Sequence, residues 1–97
     1  MYSKQIYYED GDCTITLEEF EKETFVHLTL YKATKEILER VLKVFSEIKA
    51  EFYWLGYEAI YTYTQDKRMF KFFPFAEVIG DFYYHGKKYK VGKWVLN

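Results

Sequence analysis

Thr34-Lys-Glu-Ile-Leu-Glu-Arg-Val-Leu-Lys-Val-Phe-Ser-Glu-Ile-Lys-Ala-Glu-Phe-Tyr-Trp-Leu-Gly56 decides how the rest of the chain is read. Ile37, Val41, Val44, Ile48, Phe52 and Leu55 recur at steps of three or four residues along one side of an α-helix. Leu38, Phe45 and Trp54 widen that side. Leu38, Val41, Phe45, Ile48 and Phe52 are expected to pack on a sheet, with Glu39, Lys43 and Glu47 in water. Thr34 is a good N-cap and Glu36 suits the positive end of the helix dipole. Gly56 can adopt the left-handed conformation that stops a helix. Glu36–Arg40 and Glu39–Lys43 sit four apart in the favourable order for ion pairs.

The flanks supply the sheet. Upstream, Cys13-Thr-Ile-Thr-Leu17 alternates apolar and polar residues as a half-buried strand does, and Phe25–Tyr31 is β-branched and aromatic. Glu21-Lys-Glu23 separates the two, so they read as an antiparallel hairpin whose turn lacks Gly and Asn. Before them, Ile6, Tyr7 and Tyr8 lead to a turn at Glu9-Asp-Gly-Asp12. Downstream, Ala59–Thr64 is a strand, Asp66 caps a short helix over Lys67–Phe73 with Met69, Phe70 and Phe73 inward, and Pro74 ends it. Val78–Tyr84 is a strand in which Gly80 marks a bulge, His85-Gly86 turns the chain, and Lys88–Leu96 returns. The fold class is α+β, in the order ββαβαββ: a mostly antiparallel mixed sheet packed by one long and one short helix. Residues 1–97 form a single domain, with no repeat or linker.

Composition narrows the function. Eleven Tyr and nine Phe in 97 residues exceed what one small core hides, so some rings belong to the surface or to an interface. A net charge of −1 offers no global field for nucleic acid or an anionic membrane. The charge is uneven. Glu9, Asp10, Asp12, Glu18, Glu19, Glu21 and Glu23 load the start, whereas Lys87, Lys88, Lys90 and Lys93 load the end, which reads first as two solvated faces and, more sharply, as head-to-tail pairing or a bipolar binding surface. Cys13 is a lone cysteine in a strand pattern, which fits a core residue in a reducing compartment. Met1-Tyr-Ser-Lys-Gln-Ile6 lacks an apolar leader and no run reaches membrane-span length, so a soluble protein of the cytoplasm is expected.

The segment from Ala50 to Leu96 resembles the closing half of the GNAT superfamily of N-acetyltransferases. The resemblance rests on a helix ending at Leu55-Gly-Tyr57 that feeds the strand Ala59–Thr64. It continues in a short helix leading into Phe75-Ala-Glu-Val-Ile-Gly80, and in the closing hairpin Phe82-Tyr-Tyr-His-Gly-Lys-Lys-Tyr89. It is nearest in character to small phage-encoded members, which implies a truncated GNAT-like domain acting in a virion or in the host cytoplasm. The family holds the pyrophosphate of acetyl-CoA on a glycine-rich loop before the long helix, because backbone N–H groups must approach the phosphates closely. Tyr31-Lys-Ala-Thr-Lys-Glu36 has no glycine. Were acetyl-CoA to bind, Tyr31, Lys32, Thr34 and Lys35 would hold it. The family's general-acid tyrosine falls near Phe70 or Lys71, neither a phenol. The expectation is therefore a non-catalytic protein with no cofactor. It acts by protein–protein contact as a virion component or as an inhibitor of a host or defence factor, with a minimal acetyl-CoA-dependent N-acetyltransferase as the alternative.

Other chemistry is weaker. His27 lies mid-strand with no partner at metal-ligand spacing, and His85 sits in a turn, so no metal is expected. Glu18, Glu19, Glu21 and Glu23 read as a charged hairpin tip rather than an acid–base pair. Lysines among Tyr83, Tyr84 and Tyr89 can bind single-stranded nucleic acid, but at this overall charge they read as an outward-facing strand. The candidate protein-binding surface is Tyr61, Tyr63, Tyr83, Tyr84, Tyr89, Lys87 and Lys88, serving a protein partner, a homodimer, or both.

Overall fold

The computed structural model describes residues 2–66, 68–73 and 76–96. Its elements run β1 (Tyr2–Glu9), β2 (Cys13–Phe20), β3 (Glu23–Leu30), α1 (Lys35–Trp54), β4 (Ala59–Thr64), α2 (Arg68–Phe72), β5 (Glu77–Tyr84) and β6 (Lys87–Val95). One mixed sheet of six strands has the order β1-β2-β3-β4-β6-β5. Only β3 and β4 are parallel, joined through α1, and a single residue pair, Phe25 with Tyr61, sets their register. The architecture is α+β with one long and one short helix, as the sequence implies. Among the described residues no helix is long and apolar enough to cross a membrane.

The sheet has one strand more than expected. Residues 2–9 pair along β2, from Tyr2 opposite Phe20 to Glu9 opposite Thr14, with a bulge between Ile6 and Tyr8. Ser3, Lys4 and Gln5 carry no apolar alternation because β1 is an edge strand whose start is exposed. Asp10 fixes the turn that follows. Its Oδ1 accepts hydrogen bonds from the Asp12 and Cys13 amides at 2.8 and 3.0 Å. Its Oδ2 accepts one from the Tyr8 hydroxyl and another from Arg40 Nη1, each at 2.6 Å. Arg40 thus joins α1 to the hairpin, in place of the helix-surface pair with Glu36 that spacing suggests.

α1 buries Ile37, Val41, Val44, Phe45, Ile48 and Phe52. They meet Cys13, Ile15 and Leu17 of β2, Val26 of β3, Ile60 of β4 and Trp94 of β6. Leu38 is half-buried, and Glu39, Lys43 and Glu47 face water. Thr34 caps the start, its hydroxyl accepting from the Ile37 amide at 3.3 Å. The end departs from expectation: Trp54 and Leu55 are 82% and 64% exposed. Gly56, at φ +93°, reverses the chain so that the Gly56 amide donates to the Tyr53 carbonyl and the Tyr57 amide to the Phe52 carbonyl. This arrangement brings Tyr57 onto Phe52, ring centroids 4.9 Å apart, and the contact closes the apolar face before Leu55 is reached.

α2 lies on the same face of the sheet. Asp66 accepts from the Arg68 amide at 3.0 Å at its start, while the expected limits at Lys67 and Pro74 lie outside the described residues. Phe73 is buried against Phe45 and Trp94, with centroids 4.7 and 6.1 Å away. Phe70 lies so close to β6 that a Cβ at Gly92 would stand 2.3 Å from its ring, so any larger residue there would force the ring to move. In β5 the register shifts between Val78 and Gly80, which is the bulge expected at the glycine.

Candidate binding surface

With both helices on one face, the opposite face is covered by no helix or strand among the described residues. Pleat and register assign its occupants. Glu18 opposes Phe25, Thr16 opposes His27, Tyr61 opposes Lys93, Tyr63 opposes Val91, Phe82 opposes Tyr89 and Tyr84 opposes Lys87. The rings form one connected array across β3, β4, β6 and β5. Phe25 lies 5.7 Å from both Tyr61 and Tyr63. Tyr63 lies 4.5 Å from His27, 5.2 Å from Phe82 and 5.5 Å from Tyr89. Phe82 stacks at 6.1 Å on Tyr84, which ends the array beside His85.

Glu18 sits within this array. It is 8% exposed, and its Oε1 accepts from the Tyr63 hydroxyl at 3.0 Å and lies 3.0 Å from His27 Nε2. The sequence reading left Glu18 on a charged hairpin tip, and the structure corrects that. Glu19, Glu21 and Glu23 are exposed at or beside the turn, whereas Glu18 is buried among side chains of the neighbouring strands, His27 and Tyr63 included. The signal was present in the alternation, since Thr14, Thr16 and Glu18 share the face opposite Cys13, Ile15 and Leu17. The missing quantity was the hairpin register. Glu21 and Lys22 form its two-residue turn at φ +50° and +70°, a conformation that usually selects Gly or Asn.

A groove of about 1160 Å³ adjoins this face at the amino ends of β3 and β4. Glu19, Glu21, Glu23 and Glu58 give it negative charge against Lys22 and Lys93, and Leu55, Tyr57, Tyr61 and Val95 give it apolar area. Tyr61 belongs to both, so the aromatic face runs into the acidic groove.

Of the residues expected to bind a partner, Tyr61, Tyr63, Tyr84, Tyr89 and Lys87 share this face. Tyr83 and Lys88 point to the other side, where Asp81 draws Lys88 to 3.4 Å and Lys90 to 2.8 Å. The lysines hold the Asp81 carboxyl below its usual range. Phe25, His27, Phe82 and Glu18 are members that sequence reasoning did not assign.

The residues named for acetyl-CoA come together only loosely. Tyr31, Lys32 and Lys35 are exposed around the start of α1, and the Thr34 hydroxyl is engaged as the cap. In the core between the helices and the sheet, Ile15, Val26, Leu28, Phe45, Thr62, Met69, Phe73 and Trp94 leave a void of only about 10 Å³. The Thr62 hydroxyl bonds the Val26 carbonyl at 2.6 Å beside it. Phe70 lies against Gly92. Cys13 is fully buried, and burial pushes its thiol up, away from the thiolate a nucleophile needs. Among the described residues no three His, Cys, Asp or Glu side chains converge as metal ligands.

The fold and this face define an α+β protein with a one-sided sheet that presents aromatic side chains beside an acidic groove. Comparison with family models, curated proteins and solved structures finds no match for the chain.

Proposed function

We propose that this chain is a non-catalytic binding protein on a truncated GNAT-like scaffold, and that it holds a protein partner on the uncovered aromatic face and its acidic groove. The carrying observation is the connected array from Phe25 to Tyr84 around the buried Glu18 carboxylate. Half-buried tyrosines supply large, stiff contact area while keeping their hydroxyls wet, which is what partner surfaces use. Four glutamates in the groove select a partner segment with basic residues beside apolar anchors. The scaffold reading is supported by the order of elements, in which strand, long helix, parallel strand, short helix and closing hairpin follow one another. The resemblance to small phage-encoded members directs the search to virion proteins and host factors.

Acetyl transfer is the weaker reading, because the start of α1 has no glycine loop and its Thr34 hydroxyl is engaged as the cap. Nucleic-acid binding is weaker still, because Asp81 pairs two of the closing lysines.

The test is affinity capture from host lysate by the wild-type chain, by Tyr61→Ala, by Glu21→Lys and by Lys43→Ala. A protein held by wild type and Lys43→Ala, lost with Tyr61→Ala and weakened by Glu21→Lys, supports the reading. Capture that ignores Tyr61 and Glu21, or no capture, overturns it.

A further inference from the structure

The two sheet edges differ. β1 presents Ser3, Lys4 and Gln5 to solvent, a polar, lysine-bearing start that guards against a second chain. β5 is exposed at all eight positions. Val78, Ile79, Phe82, Tyr83 and Tyr84 are between 38% and 67% exposed, on both faces of the strand. Its central charge, Asp81, is already paired with Lys88 and Lys90 of its own hairpin, so it guards the edge poorly.

We propose that β5 pairs edge to edge and antiparallel with β5 of a second copy of this chain, across a twofold axis at Phe82. Three features select this arrangement. First, the bulge occupies Val78 to Gly80, which leaves Gly80–Tyr84 as the regular ladder. A register centred on Phe82 uses that ladder alone, opposing Asp81 to Tyr83 and Gly80 to Tyr84 of the second copy. Second, opposed residues in an antiparallel pair share a face, so each Tyr84 ring covers the other copy's Gly80, beside which a Cβ would meet nothing within 4 Å. Third, antiparallel pairing sets Glu77 of one copy beside Lys87 at the hairpin tip of the other, on the same face of the sheet, whereas parallel pairing would set Glu77 on Glu77. A twofold axis normal to the sheet keeps both aromatic faces on one side, so the six-stranded sheets join and their ring arrays become continuous through Phe82.

This inference does not rest on the proposed partner surface, and its test separates the two. Phe82→Cys, Phe20→Cys and wild type are incubated with oxidised glutathione and run on a non-reducing gel. Opposed residues of an antiparallel pair have Cα atoms about 4.5–5.5 Å apart, within the span a disulfide bridges. Phe82→Cys therefore crosslinks to its twin at least about fivefold more than Phe20→Cys, which is the more exposed of the two positions but remote from the axis. Buried Cys13 gives the wild-type background. Sedimentation of the unmodified chain shows a dimer at about tens of micromolar, as expected of a small interface. Ile79→Lys with Tyr83→Lys makes it monomeric with an unchanged circular dichroism spectrum, whereas Tyr61→Ala, which damages the partner surface, still dimerises. Equal crosslinking of Phe82→Cys and Phe20→Cys, or a wild-type monomer up to about 100 µM, overturns the proposal.

Discussion

Truncating Phe45 to alanine tests the packing that leaves one sheet face free. The ring is 3% exposed and joins α1, which carries it, to Phe73 just past the end of α2 at 4.7 Å and to Trp94 of β6 at 4.9 Å. The Lys49 ammonium lies 5.1 Å from its centroid. A buried aromatic side chain removes roughly 150–250 Å² from water, and at about 25 cal/mol per Å² the lower end of that range gives about 4 kcal/mol. Retention of Cβ subtracts from this, and the vacated space adds a cavity term, so about 3–5 kcal/mol is the expected loss. That is a large part of the roughly 5–15 kcal/mol by which a domain is stable, and at about 4–8 °C per kcal/mol the midpoint falls by about 12–40 °C. Urea unfolding followed by tryptophan fluorescence reads the change, since Trp94 is buried beside Phe45 while Trp54 is already in water. The midpoint should fall with the slope unchanged. Lys43→Ala, on the solvent side of α1, should shift stability by less than about 0.5 kcal/mol. Similar losses for the two variants, or a loss below about 1.5 kcal/mol for Phe45→Ala, would refute the junction described above.

Two further outcomes follow from the same structure. Acetyl-CoA at millimolar concentration should leave the melting temperature unchanged, because a ligand at 100 times its dissociation constant would add about 2.7 kcal/mol; an upward shift that plain phosphate does not reproduce contradicts the reading of the α1 start. Asp10 is held well below the usual carboxylate range, first by the Tyr8 hydroxyl and the Asp12 amide and also by Arg40. A lowered folded pKa stabilises above the unfolded value, about 3.9, and that contribution is lost as pH falls below it. Asp10→Asn should therefore show a flatter acid limb in stability between about pH 4 and 2 than wild type, and parallel limbs would remove Asp10 from the account.

Local repetition made much of the fold legible. The three- and four-residue rhythm of Ile37 to Phe52, the Thr34 cap, the Gly56 stop, the bulge at Gly80 and the burial of Cys13 each follow from contacts within a few residues, or from simple alternation. What the sequence did not reveal depends on which strand lies beside which. β1 has no alternation of its own and becomes a strand only by pairing with β2. Arg40 has a partner four residues away by spacing, yet the fold offers Asp10 from another element in a better position. Leu55 and Trp54 continue the apolar rhythm, but Tyr57 takes the place against Phe52 once the chain reverses. Glu18 looks like one of four hairpin acids until the register sets it among Phe25, His27 and Tyr63. Period and capping are properties of a segment, so sequence determined them. Register, face and burial are relations between segments far apart in the chain, and only the tertiary structure decided those.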